Sequence, residues 1–363
     1  MTNMETLYII KDFFEKTIKS NNLESRVENY YVNSSSRTNY IFNSKISGIE
    51  DSDLIILIGA NPRYEATILN SRIGKAYKKN NINIYSLGEI GDITYPYTVL
   101  DNSTKTLHDI INNKHELSEI IHVSKKPMFI IGQSALKLNS SQYIVEELRK
   151  YLTKNNKIND EWNSLNILSN NASTVGSYDL NILNSKNGKN ITLERIKKNE
   201  FDVLFLFGQE NLQFKKNKEF IIYVGSHGAR GAEMADIILP GASYTEQDGY
   251  FTNLEGKIQK AYKATYPPGD AKEDWQIIND LSAKLKRKNL FSSKDELIKS
   301  MINYLNLYKD KKDFDLPKYK FIEENIYIDD LDYYQSNAVA RASKTMNQCK
   351  NLKTDIKKTG TNG

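Results

Sequence analysis

The chain is 363 residues long, carries 50 Lys and Arg against 45 Asp and Glu for a formal net charge of +5, and holds one cysteine, Cys349. That length suits two or three lobes with a core large enough to fold unaided. A lone thiol excludes a disulfide framework and any iron–sulfur cluster or Cys-rich zinc site built from this chain alone, and the dispersed charge argues against a nucleic-acid-binding surface.

In chain order, the opening MTNMETLYIIKDFFEKTIKS has neither the layout of a signal peptide nor the acid-poor makeup of a transit peptide. No run of 18 apolar residues follows it, so no membrane-spanning helix is expected. Residues 53–59 are the first expected strand, a continuous apolar run of the kind found in parallel strands covered on both faces. It ends at Gly59-Ala60-Asn61-Pro62, and a helix is expected over about 63–79 with Ala66, Ile68, Leu69, Ile73 and Tyr77 as its apolar positions. A strand over 82–87 closes one right-handed βαβ unit. A third strand, 128–131, stops at Gly132, and a helix follows over about 141–152. Residues 162–172 read as another helix, and the polar stretch 181–190 as a loop and a seam between halves.

The pattern then repeats. Strands are expected at 202–207, ending at Gly208, and at 219–224, ending at Gly225, with a short apolar piece at 234–240. A helix over about 272–285 is expected, with Asp270 as N-cap and Trp275, Ile277, Ile278 and Leu281 facing inward. Beyond residue 286 the patterning weakens, 309–320 is charged and turn-rich, and the end from Lys350 is expected to be mobile. Alternating strands and helices predict an α/β fold with doubly wound, mostly parallel sheets in two halves and a less regular C-terminal extension. The expected parts are 1–190, 191–290 and 291–363.

Two glycine loops could hold a ligand. Gly59 and Asn61 sit at the carboxyl end of a central strand, where open α/β sheets bind ligands and where a helix start attracts anions. Gly225-Ser226-His227-Gly228 continues to Gly231, with His227 as a possible base. Neither loop has the dinucleotide glycine spacing or a Walker lysine, and both also read as plain strand-end turns. His108, His115 and His122 lie seven apart, but the polar residues between them oppose one continuous helix, so no metal site is expected. Asp236, Glu246 and Glu255 carry carboxylates suited to acid–base roles, but with no pocket visible in the sequence they read first as hydrogen-bonded turn residues.

Together these segments carry a resemblance. ADIILPGASYTEQDGYFTNLEGKIQ, residues 235–259, resembles the "ADVILP…E…G…N.EGR" signature of the molybdopterin oxidoreductase superfamily. Within it the chain is similar to one branch, the C-terminal part of the large iron–sulfur subunit of respiratory complex I. The segments IGANPRYEATILNSRIGKAY, GEIGDITYPYTVLD, KKPMFIIGQSAL, WNSLNILSNNAS, VLFLFGQE and PPGDAKEDWQIINDLS, with ARASKTMNQC near the end, occur in the family's order. Two departures stand out. The ferredoxin-like, cluster-bearing region is missing, and Lys257 stands where the signature usually has Arg, keeping the charge without the bidentate fork.

The resemblance implies a structural fragment of the peripheral arm of complex I with no redox centre, catalytic residue or metal of its own. It implies that the cluster-bearing N-terminal half is either a separately encoded fragment, which then holds the iron–sulfur clusters, or lost. It also implies further partners among the peripheral-arm subunits including the NADH-binding module, and a place on the matrix side of the inner mitochondrial membrane or the cytoplasmic face of a bacterial one. The abundance of Asn, Lys, Ile and Tyr, which share AT-rich codons, fits an organellar genome and equally an AT-rich bacterial one. Gly59, Asn61, Gly225, His227, Glu246 and Lys257 are then candidates for a vestigial pocket. Tyr95, Tyr97, Tyr244, Tyr250 and Phe251 are candidate interface anchors. The alternative is a molybdopterin- or nucleotide-binding oxidoreductase fragment that uses the two glycine loops.

Overall fold

The structure, a computed structural model, describes the chain except residues 1, 210, 211, 213, 229, 287, 309–317, 330 and 360–363. Helix α1 (Met4–Asp12) opens the chain. The first unit is then built from β1 (Leu54–Ile58), α2 (Pro62–Glu65), α3 (Thr67–Asn80), β2 (Asn83–Leu87), β3 (Thr98–Asp101), α4 (Thr104–Ile111), α5 (Leu117–Val123), β4 (Pro127–Ile131), α6 (Gln133–Leu136), α7 (Ser141–Lys154) and β5 (Leu165–Ile167). Its strands lie in the order β3-β2-β1-β4-β5, all parallel.

The apolar run of β1 explains why this sheet is central. All five side chains are buried. Leu54, Ile56 and Ile58 enter one core with α4, α5 and α7, while Ile55 and Leu57 enter another with α3 and Trp162. Phe129 and Ile131 of β4 divide from Met128 and Ile130 in the same way. A strand with no polar face requires cover on both sides, and each buried Leu or Ile contributes about 1.5–3 kcal/mol.

The second unit follows α8 (Thr174–Asp179), the small hairpin β6 (Ser185–Lys186) and β7 (Lys189–Asn190), and α9 (Thr192–Lys197). It comprises β8 (Val203–Phe207), β9 (Phe220–Gly225), α10 (Arg230–Met234) and β10 (Ile237–Pro240), in a parallel three-stranded sheet ordered β10-β9-β8. An antiparallel hairpin, β11 (Gly249–Thr252) and β12 (Ile258–Ala261), precedes α11 (Asp274–Lys286), α12 (Lys294–Tyr308), α13 (Ala338–Ala342) and α14 (Lys344–Thr359). Helices from the two ends of the chain share a core: Ile9 and Phe13 pack with Ile278 of α11 and with Leu297 and Met301 of α12.

The α/β reading holds, with local corrections. Residues 162–172 are not a helix. Asn159 Oδ1 accepts the N–H of Trp162 and Asn163 Oδ1 that of Leu165, which bends the backbone out of helical shape, and β5 then pairs with β4. In α3 the buried apolar positions are Leu69, Ile73 and Ala76, beside buried Asn70, while Ile68 is exposed. Helix α11 starts at Asp274, four residues beyond the expected cap Asp270. The C-terminal extension is more helical than its sequence pattern suggests: α12 buries Leu297, Met301 and Leu305, and α14 runs past Lys350 to Thr359. Most of the turn-rich stretch 309–320 lies outside the described residues.

Candidate functional site

In this strand order the chain leaves β1 toward β2 and β3 on one side and reaches β4 and β5 on the other. The crevice between the carboxyl ends of β1 and β4 is therefore the place where an α/β sheet would take a ligand. Gly59 and Gly132 end those two strands. Gly59 has φ +57°, and a Cβ on it would lie 2.6 Å from the backbone nitrogen of Ala135. A Cβ on Gly132 would lie 2.2 Å from the carbonyl oxygen of Gly59. The two turns touch backbone to backbone and leave no room between them.

Asn61 does local work. Its side chain accepts the N–H of Arg63 at 3.1 Å and donates to the carbonyl of Ile90 at 3.1 Å. With Pro62 next, which has no N–H, the start of α2 has little to offer an anion.

A strap from the C-terminal region closes the crevice from above. Ile326 donates its N–H to the Asn102 carbonyl at 2.6 Å, beyond β3. Ile326 is buried in the first core, and Ile326 and Ile328 lie against Gly88 at the end of β2. Asp329 donates its N–H to Ser134 Oγ at 3.0 Å, beyond β4. The strap thus crosses the carboxyl ends of β3, β2, β1 and β4.

Its charges satisfy what the crevice would otherwise present to a ligand. The Glu324 carboxylate takes the N–H of Ser140 at 2.7 Å and that of Asn139 at 3.2 Å, at the start of α7. Burial opposes its charge, but these N–H donors prevail and hold its carboxyl below the usual range. A carboxylate of the chain itself therefore occupies a helix N-terminus suited to an anion. Lys137 is held between Glu28 and Asp329. Burial disfavours its ammonium, and the two carboxylates more than restore it, so it titrates above an ordinary lysine. Glu65 Oε2 is buried without a partner, and burial, aided by Asp329, pushes the Glu65 carboxyl up to about 7.

A pterin cofactor carries phosphate and needs a roomy, donor-rich crevice. Here the turns at Gly59 and Gly132 meet backbone to backbone, and the carboxyl groups of Glu65 and Asp329 lie beside them. The residues present at this crevice do not fit that group.

The other candidates stand apart from it. Tyr223 fills the space beside Gly225, where an added Cβ would meet its hydroxyl oxygen at 2.3 Å, and that hydroxyl donates to the His227 carbonyl at 2.9 Å. The His227 ring contacts Ser226 Oγ through Nδ1 at 2.9 Å. Glu246 Oε2 accepts the Ser243 N–H at 2.9 Å, capping a turn. Lys257 is exposed on the β11–β12 hairpin, its backbone N–H held by Asn253 Oδ1 at 2.8 Å. The structure thus disperses the six candidates among the first-sheet crevice, the end of β9 and the hairpin region. Asp236 takes the Ile221 N–H and pairs with Lys216, and these contacts lower its pKa; Glu255 accepts the Ile46 N–H. Both carboxylates hold backbone in place.

The histidines separate as expected, His108 in α4 and His122 in α5, with His115 between them. Among the described residues no group of three His, Cys, Asp or Glu side chains could hold a metal. No described helix is long and apolar enough to cross a membrane. Of the expected anchors, Tyr95 is a core residue, its hydroxyl 2.7 Å from Asn70 Oδ1, while Tyr244 is exposed. Sequence reasoning missed the strap. Its signal was the spacing of Ile326 and Ile328, a short alternation inside a stretch dominated by charge.

Comparison with known proteins places the chain in a family. The family described as molybdopterin oxidoreductase matches residues 1–284. A subunit of the NADH-quinone oxidoreductase of Rickettsia bellii is 35% identical over 99% of this chain and 53% of its own length. The NADH-ubiquinone oxidoreductase 75 kDa subunit of Reclinomonas americana is 37% identical over 88% of this chain and 48% of its own length. The chain spans about half the length of these curated relatives, and the resemblance read from the signature segments is borne out. The chain belongs to the molybdopterin oxidoreductase family.

Proposed function

We propose that the chain is a structural, non-redox part of the peripheral arm of complex I, NADH:ubiquinone oxidoreductase. It supports the N-terminal, iron–sulfur-bearing part of the same subunit, and so keeps the electron path from NADH to quinone in register. Its other partners are the remaining peripheral-arm subunits, including the NADH-binding module, on the matrix side of the inner mitochondrial membrane. The observation that carries this reading is the sealed crevice in a chain similar along 99% of its length to relatives named for NADH-quinone oxidoreductase. With the ligand crevice filled by the chain's own strap, shape is what the fold retains. The exposed apolar residues Ile237, Ile238 and Tyr262 give it surface to bury against neighbours.

The test is native electrophoresis of membranes from cells carrying a tagged chain. The tag should co-migrate with the NADH-oxidising band and leave it when the assembly is dissociated. A tag that migrates only at the mass of the free chain would refute the proposal.

A further inference from the structure

The β11–β12 hairpin is held on one side only. On the body side, Tyr250 donates its N–H to Glu5 Oε2 at 2.9 Å, Met4 meets Thr252, and Gly249 lies against Asn3. Arg37 binds the Gly256 carbonyl at the turn and pairs with buried Asp179 at 2.7 Å. The outer strand is different: all four residues of β12 are exposed.

Register shows what that strand offers. Asn253 donates to the Lys257 carbonyl at 2.8 Å, so the alternating ladder turns Gln259 and Ala261 toward β11. The N–H and C=O of Ile258 and Lys260 therefore point outward, and no strand pairs with that edge among the described residues. An open edge of this kind is a template for another strand.

Charge indicates which strand. From residue 256 to 269 the sequence GKIQKAYKATYPPG contains three lysines and no acid. Among the described residues, Lys257, Lys260 and Lys263 form no ion pair. Lys260 Nζ lies 4.7 Å from the Tyr262 ring centre and Lys263 Nζ 4.5 Å from that of Tyr266. Both tyrosines are 76% exposed. Ile258, Lys260 and Tyr262 alternate on one side of the strand, giving an apolar, cationic and aromatic row, the composition of an interface anchor.

We propose that the outer edge of β12 docks an extended acidic segment of a partner polypeptide as a third strand. Main-chain hydrogen bonds to Ile258 and Lys260 give it register, and the three lysines select its charge. A lipid surface or a nucleic acid would use the lysines but would leave the backbone edge unpaired, and so fits less of what the strand presents. The inference rests on the reading of the chain as a subunit of a larger assembly.

The experiment places a photo-crosslinker at Tyr262 (Tyr262→benzoylphenylalanine) in the full chain within the native assembly, with mass spectrometry of the crosslinked peptide. An acidic peptide of another subunit is the expected product. The charge-reversed chain Lys257→Glu/Lys260→Glu/Lys263→Glu should be retained in the assembly about tenfold less at physiological salt. The Lys→Arg triple should be retained normally, and both triples should melt like the parent chain. Crosslinks to lipid, to nucleic acid or to a second copy of this chain would overturn the proposal. So would absence of a crosslink in a chain that co-migrates with NADH-oxidising activity, which leaves the assembly reading intact. A chain that does not co-migrate at all fails both.

Discussion

The two sheets of this chain solve the same packing problem to different degrees. The first has five strands, cores on both faces and a strap sealing its ligand end. The second has three, and its edge strand β10 leaves Ile237 and Ile238 about half exposed. A parallel sheet is stable when both faces are covered. The first sheet is covered on both faces, with Ile326 of the C-terminal strap completing one core, whereas the second leaves apolar side chains of its edge strand exposed. The proposed structural role rests on that division: a closed crevice at one end and exposed apolar surface at the other.

Substitutions should break or sharpen this contrast. The largest effect is expected at Gly132. In Gly132→Ala the new methyl meets the backbone of Gly59 and Ala60, which cannot yield without moving β1. A loss of about 4 kcal/mol or more in denaturant unfolding is expected. Gly228→Ala in the second unit meets no atom within 4 Å among the described residues and should change stability by less than about 0.5 kcal/mol. Equal costs would mean that the β1–β4 contact is not tight.

Next comes the strap. Ile326→Ala empties a buried site and should cost about 2–4 kcal/mol. The loss should appear as faster amide exchange at Ile326 and Asp329, with the β1 amides still protected. Uniform acceleration through β1 would show that the strap is part of the sheet's own folding unit.

A smaller effect is expected at Glu65. Its carboxyl is raised in the fold to about 7 from an unfolded value near 4.5, so the protonated form is the one the fold favours. The sign follows: this contribution is fully present below about pH 4.5 and is lost as pH rises through about 7. Glu65→Gln should be more stable than the parent at pH 8 by about 1–3 kcal/mol and should lack that slope. An unchanged pH profile of unfolding would place the carboxyl in water.

The smallest effect is expected at Ile238. Ile238→Ser removes an exposed side chain and should change the stability of the isolated chain by about 0.5 kcal/mol or less. It should still reduce retention in the assembly, a pairing of outcomes that separates interface from core.

The regular parts of this fold were legible because their signals are local. The run Leu54–Ile58 announces a buried parallel strand, and Gly59 and Gly132 mark the ends of their strands as glycines at tight turns do. What stayed hidden depends on distant partners. β5 is a strand because β4 lies beside it, against a sequence that reads as a half-apolar helix. Gly59 and Asn61 read as the carboxyl end of a central strand, which is where β1 ends, yet the strap that crosses that end comes from more than 200 residues downstream and carries little apolar pattern of its own. The pairing of Glu324 with the start of α7 has no sequence signature at all.

The most direct test of the structural role is the cofactor content of the chain itself. Chain recovered from the intact assembly, freed of its partners and denatured, would be assayed for pterin, molybdenum and tungsten. A crevice closed by Gly59, Gly132 and the strap predicts far less than one of each per chain. Stoichiometric pterin or metal released from this polypeptide would contradict the account.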